Sequence, residues 1–400
     1  MSTSDRNDAA GPPPDELVQF HMGTDNPHPA WDAGRRLGPT TLPDHAGRET
    51  LHIFERDQAE QVLRDEETFS ARCNQDGMGP FMGEILLGKD GSEHTRYRNL
   101  VSHAFRASAL RRWEEELIRP TIDDLIDRIA SQGRSDLVAD VTTPYPVRVI
   151  AAIMGVPVED HARFHQWAAQ INAGPLAPDA GREASEAMRT YLTPIVEDRR
   201  ERPREDLVSD IVHARVGEEK LDDEHIYGFL RLLLPAGAET TYREMGILLL
   251  ALLQSPRELD RLRAQPAAIP EVIEETLRWE SSAPMIARVA TRDTNLGGCP
   301  VSQGTRVSVS LGSANRDATV YPHPEEWDPA RPSGPAHLAF GWGRHVCLGM
   351  HLARLELRVG LESILRRLPR LRLDPDIPSP EIRGTAFRGP DKLRVLFDPS

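Results

Sequence analysis

The sequence predicts a mainly α fold with a minor β subdomain. Apolar residues recur at helical spacing through most of the chain, and at greatest length over residues 225–254, about 45 Å of helix. Short strand-like runs are few, at residues 50–55, 288–291 and 306–311 and after residue 368. A chain of 400 residues, 39% hydrophobic and 28% charged, with mean hydropathy −0.46, has the balance of a globular protein. No repeat, low-complexity block or linker divides it. We therefore read residues 17–400 as one domain, after a polar, Pro-rich segment over 1–16 that is expected to be disordered.

The elements follow in order. Residues 50–55 (TLHIFE) alternate as a strand, and Asp57 then caps a helical pattern, AEQVLRDEETF. Residues 71–92 are Gly-rich and irregular and read as a long loop. Helical patterns resume over 93–130, then over 144–154 and 159–171, the last two split by Gly155-Val156-Pro157. A Gly/Pro/Ala loop spans 173–180, and a helix runs on to Arg199. Asp222 or Asp223 can cap the long helix, and Ser255-Pro256 can stop it. Pro235 inside it removes a donor and predicts a kink or widening, which would either deepen the groove beside the helix or displace Thr240. Pro270 begins the next helix, strands and a Pro-rich run to Pro335 follow, and a helix over 348–368 and short strand-like segments close the chain.

The charge balance is 48 − 62 = −14, which argues against a general nucleic-acid binder. The N-terminus lacks the basic and apolar regions of a signal peptide. The most apolar region, 229–253, is interrupted by Arg231, Glu239, Arg243 and Glu244, so no membrane partner is expected. Cys73, Cys299 and Cys347 are too few and too scattered for a disulfide framework. A reducing, cytoplasmic setting is the simplest expectation.

One cysteine stands in a special context. Residues 337–349 read HLAFGWGRHVCLG. Gly341 and Gly343 let the backbone approach something flat or bulky, and Cys347 stands at a helix entry, where free N–H groups favour a thiolate. Locally, Cys347 fits a metal ligand, a nucleophile or a small buried apolar residue. No second Cys or His stands at zinc-ligand spacing.

The pattern Phe340-x-x-Gly343-x-x-x-Cys347-x-Gly349 resembles the haem-thiolate loop of the cytochrome P450 superfamily. Other stretches resemble that family in the same order. They are Glu93 to Arg98, Ala236-Gly237-Ala238-Glu239-Thr240-Thr241, Glu275-x-x-Arg278, Ala314 to Asp317, and Trp327 to Arg331. The resemblance extends over residues 49–397. Two positions depart from the family's habit, Pro235 and Gly91, the latter where proline is common.

The resemblance implies a P450 fold around haem b, with Cys347 as the axial thiolate. Donation from such a ligand favours O–O cleavage. Thr240 and Glu239 would organise water and deliver protons. Apart from the resemblance, Thr240 could simply bond back to the Ala236 carbonyl, with Glu239 as a salt-bridge partner. His94, Arg98, Arg288 and His345 would meet the haem propionates. Phe340, Gly341, Gly349 and Ala236 would line the ring. Glu275, Arg278 and Arg331 would form a buried network with a structural role. Cys73 and Cys299 have no assigned chemistry.

Mapped by order, the substrate pocket would be walled by Phe81, Met82, Ile85, Leu86, Phe229, Leu233, Ala236, Ala283, Met285, Ile286 and Phe387. These are mostly apolar, as small-molecule pockets are. Arg388 reads as a solvated arginine that could instead bind a substrate carboxylate. No dinucleotide fingerprint or iron–sulfur cysteine set is attached. Electrons would come from a ferredoxin or flavodoxin with its NAD(P)H reductase. Arg106, Arg111, Arg112, Arg344, Arg354 and Arg358 would offer a basic docking face. The expected activity is insertion of one oxygen atom from O2 into an apolar small-to-medium organic substrate. The alternatives are a peroxygenase or a coupling or dehydrating enzyme of the same fold, and, outside catalysis, a haem-thiolate ligand sensor.

Overall fold

The computed structural model describes residues 16–17, 24–44, 47–332 and 334–400. The expected disordered segment, 1–16, lies outside the described residues apart from Glu16. Six helices position the site. They are α1 (Gly91–Ser102), α2 (Pro144–Ile153), α3 (His161–Asn172), α4 (Asp223–Leu253), α5 (Ile269–Trp279) and α6 (Met350–Arg367).

Helix α4 is apolar on nearly every side, with residues 244–253 all buried, which makes it the core axis. It packs against α2, α3, α5 and α6. Of the two candidate caps, Asp222 serves: its carboxylate accepts the His225 N–H at 2.9 Å. The helix ends at Leu253, and the next begins at Pro256. Pro235 does not break it: α-helix continues from Asp223 to Leu253 with Pro235 buried. The packing on every flank outweighs one lost backbone bond. The α2–α4 crossing is close at Gly237, where a Cβ would come within 2.8 Å of Ile150 Cδ1.

The β subdomain is a five-stranded sheet. Its strands are β1 (Thr40–Pro43), β2 (Glu49–Ile53), β3 (Phe69–Ser70), β4 (Met285–Ala290) and β5 (Arg306–Ser310), in the order β1-β2-β5-β4-β3. Only β2 and β5 pair in parallel, with Val309 between Ile53 and Ile286. Leu51, Ile53, Phe69, Val307 and Val309 form a core of their own beneath it.

Several expectations are corrected. Residues 71–92 are not an open loop: Cys73–Met82 is helical and Leu86–Gly88 forms a 3-10 turn. Propensity is overridden there by burial of Cys73, Phe81 and Met82. The Gln75 side chain adds bonds to the Gly83 carbonyl and the Ile85 N–H. Asp57 is not a cap but a first-turn acid in Arg56–Arg64, where it suits the helix dipole. That helix stops at Arg64, short of the expected pattern. Gly91 opens α1 at φ +55°, a conformation closed to proline.

Candidate active site

The cysteine loop is a folded hairpin. The Cys347 N–H donates to the Phe340 carbonyl at 2.9 Å, and the Gly341 N–H donates to Leu338. Gly343, at φ +72°, passes so close to Leu63 that a Cβ would lie 2.5 Å from its carbonyl oxygen. Burial pushes the Cys347 thiol up, while the Gly349 N–H, Arg98 and Arg354 pull it toward thiolate. Cys347 is deep within the protein, yet its own surface is exposed. These describe different things: many protein neighbours around the residue, and open surface on one side of it. On α4, Ala236 is likewise exposed, although Leu233, Leu234, Pro235 and Ala238 around it are buried. A Cβ on Gly349 would meet no atom within 4 Å. Open surface at these three positions is the cradle a flat ring requires, so the residues fit a haem.

On α4 the Thr240 hydroxyl donates to the Ala236 carbonyl at 2.8 Å. Glu239 is paired with Arg243 at 3.1 Å and accepts from the Asn172 amide at the end of α3. The plainer arrangement, back-bonded threonine and salt-bridged glutamate, is thus the one present at rest. Arg243 was readable as the i+4 partner of Glu239; Asn172, 67 positions away, carried no local signal.

His94 and His345 stack with ring centroids 4.0 Å apart. Both His94 nitrogens and the His345 Nε2 are buried without a hydrogen-bond partner. Burial, with His345 and Arg98 nearby, lowers His94 to about 4, so it stands neutral. Asp90 lies 3.8 Å from His345. Burial opposes its ionisation, but the nearby His345 ring and bonds from Ser70 and the Ala71 N–H outweigh that and hold it at about 2. Orphaned donors beside Arg98 suit anionic ring substituents. Glu66, His94 and His345 also bring one ligand atom each within 4.8 Å of one another, a geometry that a metal ion could use. Arg288 does not join this group through any recorded bond; it is buried in β4 and donates to the neighbouring Ala287 carbonyl.

Beneath the loop, Glu275 receives Arg278 at 2.8 Å, Arg331 at 3.3 Å and the Asp328 N–H at 2.9 Å. Arg278 reaches on to the carbonyls of Asn315, Pro324 and Glu326. The three expected residues meet, with Glu275 and Arg278 buried and Arg331 half-buried. Glu274 adds Arg354 of α6 at 2.6 Å and His337 at 3.2 Å. Burial opposes its charge, yet Arg354 and His337 hold it at about 2.

The pocket residues divide. Phe81, Met82, Ile85, Leu86 and Phe229 are packed into the main core, Phe81 against Gly174 and Gly181. Ala283, Met285, Ile286 and Phe387 are half-buried, and Leu233 is at the margin of burial. Arg388 is not solvated: it is 2% exposed and bonded to Glu280 at 2.6 Å. The arginines read as a docking face are largely paired. Arg106 meets Asp210, Arg112 meets Glu205, Arg344 meets Glu66, Arg354 meets Glu274 and Arg358 meets Glu114. A cleft of about 1070 Å³ is lined by residues of α1 with Glu66, Arg72, Glu219 and Arg344; neither Cys347 nor Thr240 lines it.

Residues 267–396 match the family model "Cytochrome P450". The chain is 36% identical to cytochrome P450-SU2 of Streptomyces griseolus over 91% of this chain and 90% of that protein. It is 37% identical to the mycinamicin IV hydroxylase/epoxidase of Micromonospora griseorubida, over 78% of this chain and 79% of that one. The crystal structure of CYP109E1 from Bacillus megaterium, in complex with testosterone, superimposes with a TM-score of 0.84 at 31% identity, covering 93% of this chain and 99% of that one.

Proposed function

The chain belongs to the cytochrome P450 family and is a monooxygenase of the bacterial type, and from that premise we propose an apolar substrate of small to medium size. We further propose that the ring is haem b within a single domain over 17–400, in the cytoplasm, reduced by a ferredoxin or flavodoxin. Among the described residues, no helix is long and apolar enough to cross a membrane. The observation that carries the site is Cys347, exposed in its hairpin while Ala236 is exposed on α4.

Bound through Cys347, the ring supplies activation of O2, strengthened by thiolate donation. The chain's residues then bind, orient and move protons. His94, Arg98 and His345 hold the anionic edge. The Glu275–Arg278–Arg331 network keeps the cysteine loop in place. The Thr240 hydroxyl donates a hydrogen bond to the Ala236 carbonyl at rest, so delivery requires it to turn away from that carbonyl. Glu239, once parted from Asn172 or Arg243, would take a proton from water and pass it on to the hydroxyl. Leu233, Ala283, Met285, Ile286 and Phe387 exclude water and orient the substrate; the buried Phe81, Met82, Ile85, Leu86 and Phe229 support them. Arg288 stays a candidate at the ring edge.

The test is the carbon monoxide difference spectrum of the reduced protein. A strongly red-shifted Soret band is expected in the native chain and its loss in Cys347→Ala. A colourless native preparation, or an unchanged spectrum in the variant, would overturn the assignment.

A further inference from the structure

Helix α4 carries one buried acid that the proton path does not use. Glu244 is 3% exposed, one turn beyond Thr240. Its Oε2 accepts the Ser282 N–H at 2.8 Å, and its Oε1 has no partner. The Ser282 carbonyl in turn accepts the Arg388 N–H at 2.8 Å. The backbone of Ser282 is therefore held from both sides. One side is α4; the other is the C-terminal turn that carries Phe387.

That turn is anchored again by its side chains. Arg388 bonds to Glu280 at 2.6 Å and to the Asp25 carbonyl at 3.0 Å. Glu280, itself buried, also takes His28 at 2.7 Å and Arg316 at 3.2 Å. The turn lies directly on α4: a Cβ on Gly389 would come within 3.1 Å of Arg243 Cβ, and one on Gly246 within 3.1 Å of Pro390.

We propose that Glu244 is a positioning residue for the substrate side of the site, fixing Ser282, and through it the wall formed by Ala283, Met285 and Phe387, at a set distance from α4. The inference rests on the reading of those three residues as pocket wall. Its chemistry suits the task. Burial pushes the Glu244 carboxyl up to about 8, against the pull of Ser282, and its charged neighbours Glu280 and Glu274 are both acidic. It therefore stands as a neutral acid that accepts one N–H without bringing a charge into the core. A leucine would fill the space but leave the Ser282 N–H without an acceptor.

The test uses the ferric holoprotein and two iron-ligating probes read by the Soret shift. Imidazole is too small to reach the wall; 4-phenylimidazole is not. Glu244→Leu is expected to raise the 4-phenylimidazole Kd about tenfold with the imidazole Kd within about twofold, the loss due to one unmade buried bond. Glu244→Gln keeps an acceptor oxygen and should restore the native ratio. An unchanged ratio in Glu244→Leu, or an equal loss in Glu244→Gln, overturns the assignment. If Glu244→Leu does not retain haem, Glu244→Asp, whose shorter side chain withdraws the acceptor, makes the same measurement and must show the same selective loss. Phe387→Ala separates the two readings. A shifted ratio there with none in Glu244→Leu overturns only the role of Glu244; no shift in either overturns the wall itself.

Discussion

At the residue scale, Thr240 holds the most exposed part of the reading. Its hydroxyl is engaged with the Ala236 carbonyl, so the resting bond neither requires nor forbids a proton-delivery role. What distinguishes it is position: it stands one turn from exposed Ala236 on a helix whose other residues are mostly buried. Thr240→Ala is expected to leave substrate-induced spin-state shifts within about twofold of native while product formed per NAD(P)H falls about tenfold or more, because general-acid help is lost but binding is not. Thr240→Ser should recover most of it. A variant that binds and couples like the native chain would assign the hydroxyl to helix packing alone. Cys347 and Thr240 were legible in the sequence because each lies within a short, ordered motif. Asn172 and Glu280 were not. Their partners lie 67, 108 and 252 positions away, and nothing local marks a residue whose role is set only when distant segments meet.

At the element scale, the cysteine loop depends on parts outside itself. Glu275 ties α5 to the Pro-rich run through Arg331 and the Asp328 N–H. Removing it would leave the buried Arg278 guanidinium and the half-buried Arg331 guanidinium without their carboxylate. Glu275→Ala is expected to cost about 3–5 kcal/mol and to purify with little haem, measured by denaturant unfolding and by the Soret-to-protein absorbance ratio. Native-like haem content and stability would reduce the network to ordinary surface pairing. Gly343 makes a second, purely steric demand. Gly343→Ala places a Cβ 2.5 Å from the Leu63 carbonyl at φ +72°, so the loop must shift and haem retention should drop. Elements with their own caps and periodicity, such as α4 and α6, were readable to within about two residues. Cys73–Met82 was not, because its glycines and proline speak for a loop and only burial of Phe81 and Met82 makes it a helix.

At the scale of the whole molecule, buried carboxyl groups pull stability in opposite directions with pH. Glu280 is held at about 2 despite its burial, by His28, Arg388 and Arg316, and Glu274 and Asp90 stand near the same value. Their folded pKa values lie below the unfolded ones. The stability they contribute is present above about pH 4.5 and is lost as the pH falls toward 2. Glu244 works the other way. Its folded value, about 8, lies above the ordinary 4.5, so its contribution is complete in acid and declines as pH rises from about 4.5 to 8. Glu356, also buried and pushed well up, reinforces that slope. One such proton changes stability by at most about 1.4 kcal/mol per pH unit. Against this, burial lowers His28, His94, His161 and His165, so their contribution grows as pH rises toward 6.5 and offsets that slope below it. The melting temperature of the holoprotein should therefore decline from about pH 6.5 toward pH 8. In Glu244→Gln the decline should be shallower, with the gap, taken as variant minus native, rising from about pH 5 to 8 and then levelling off. A gap that does not change with pH would mean that Glu244 binds its proton no more tightly in the folded chain than in the unfolded one.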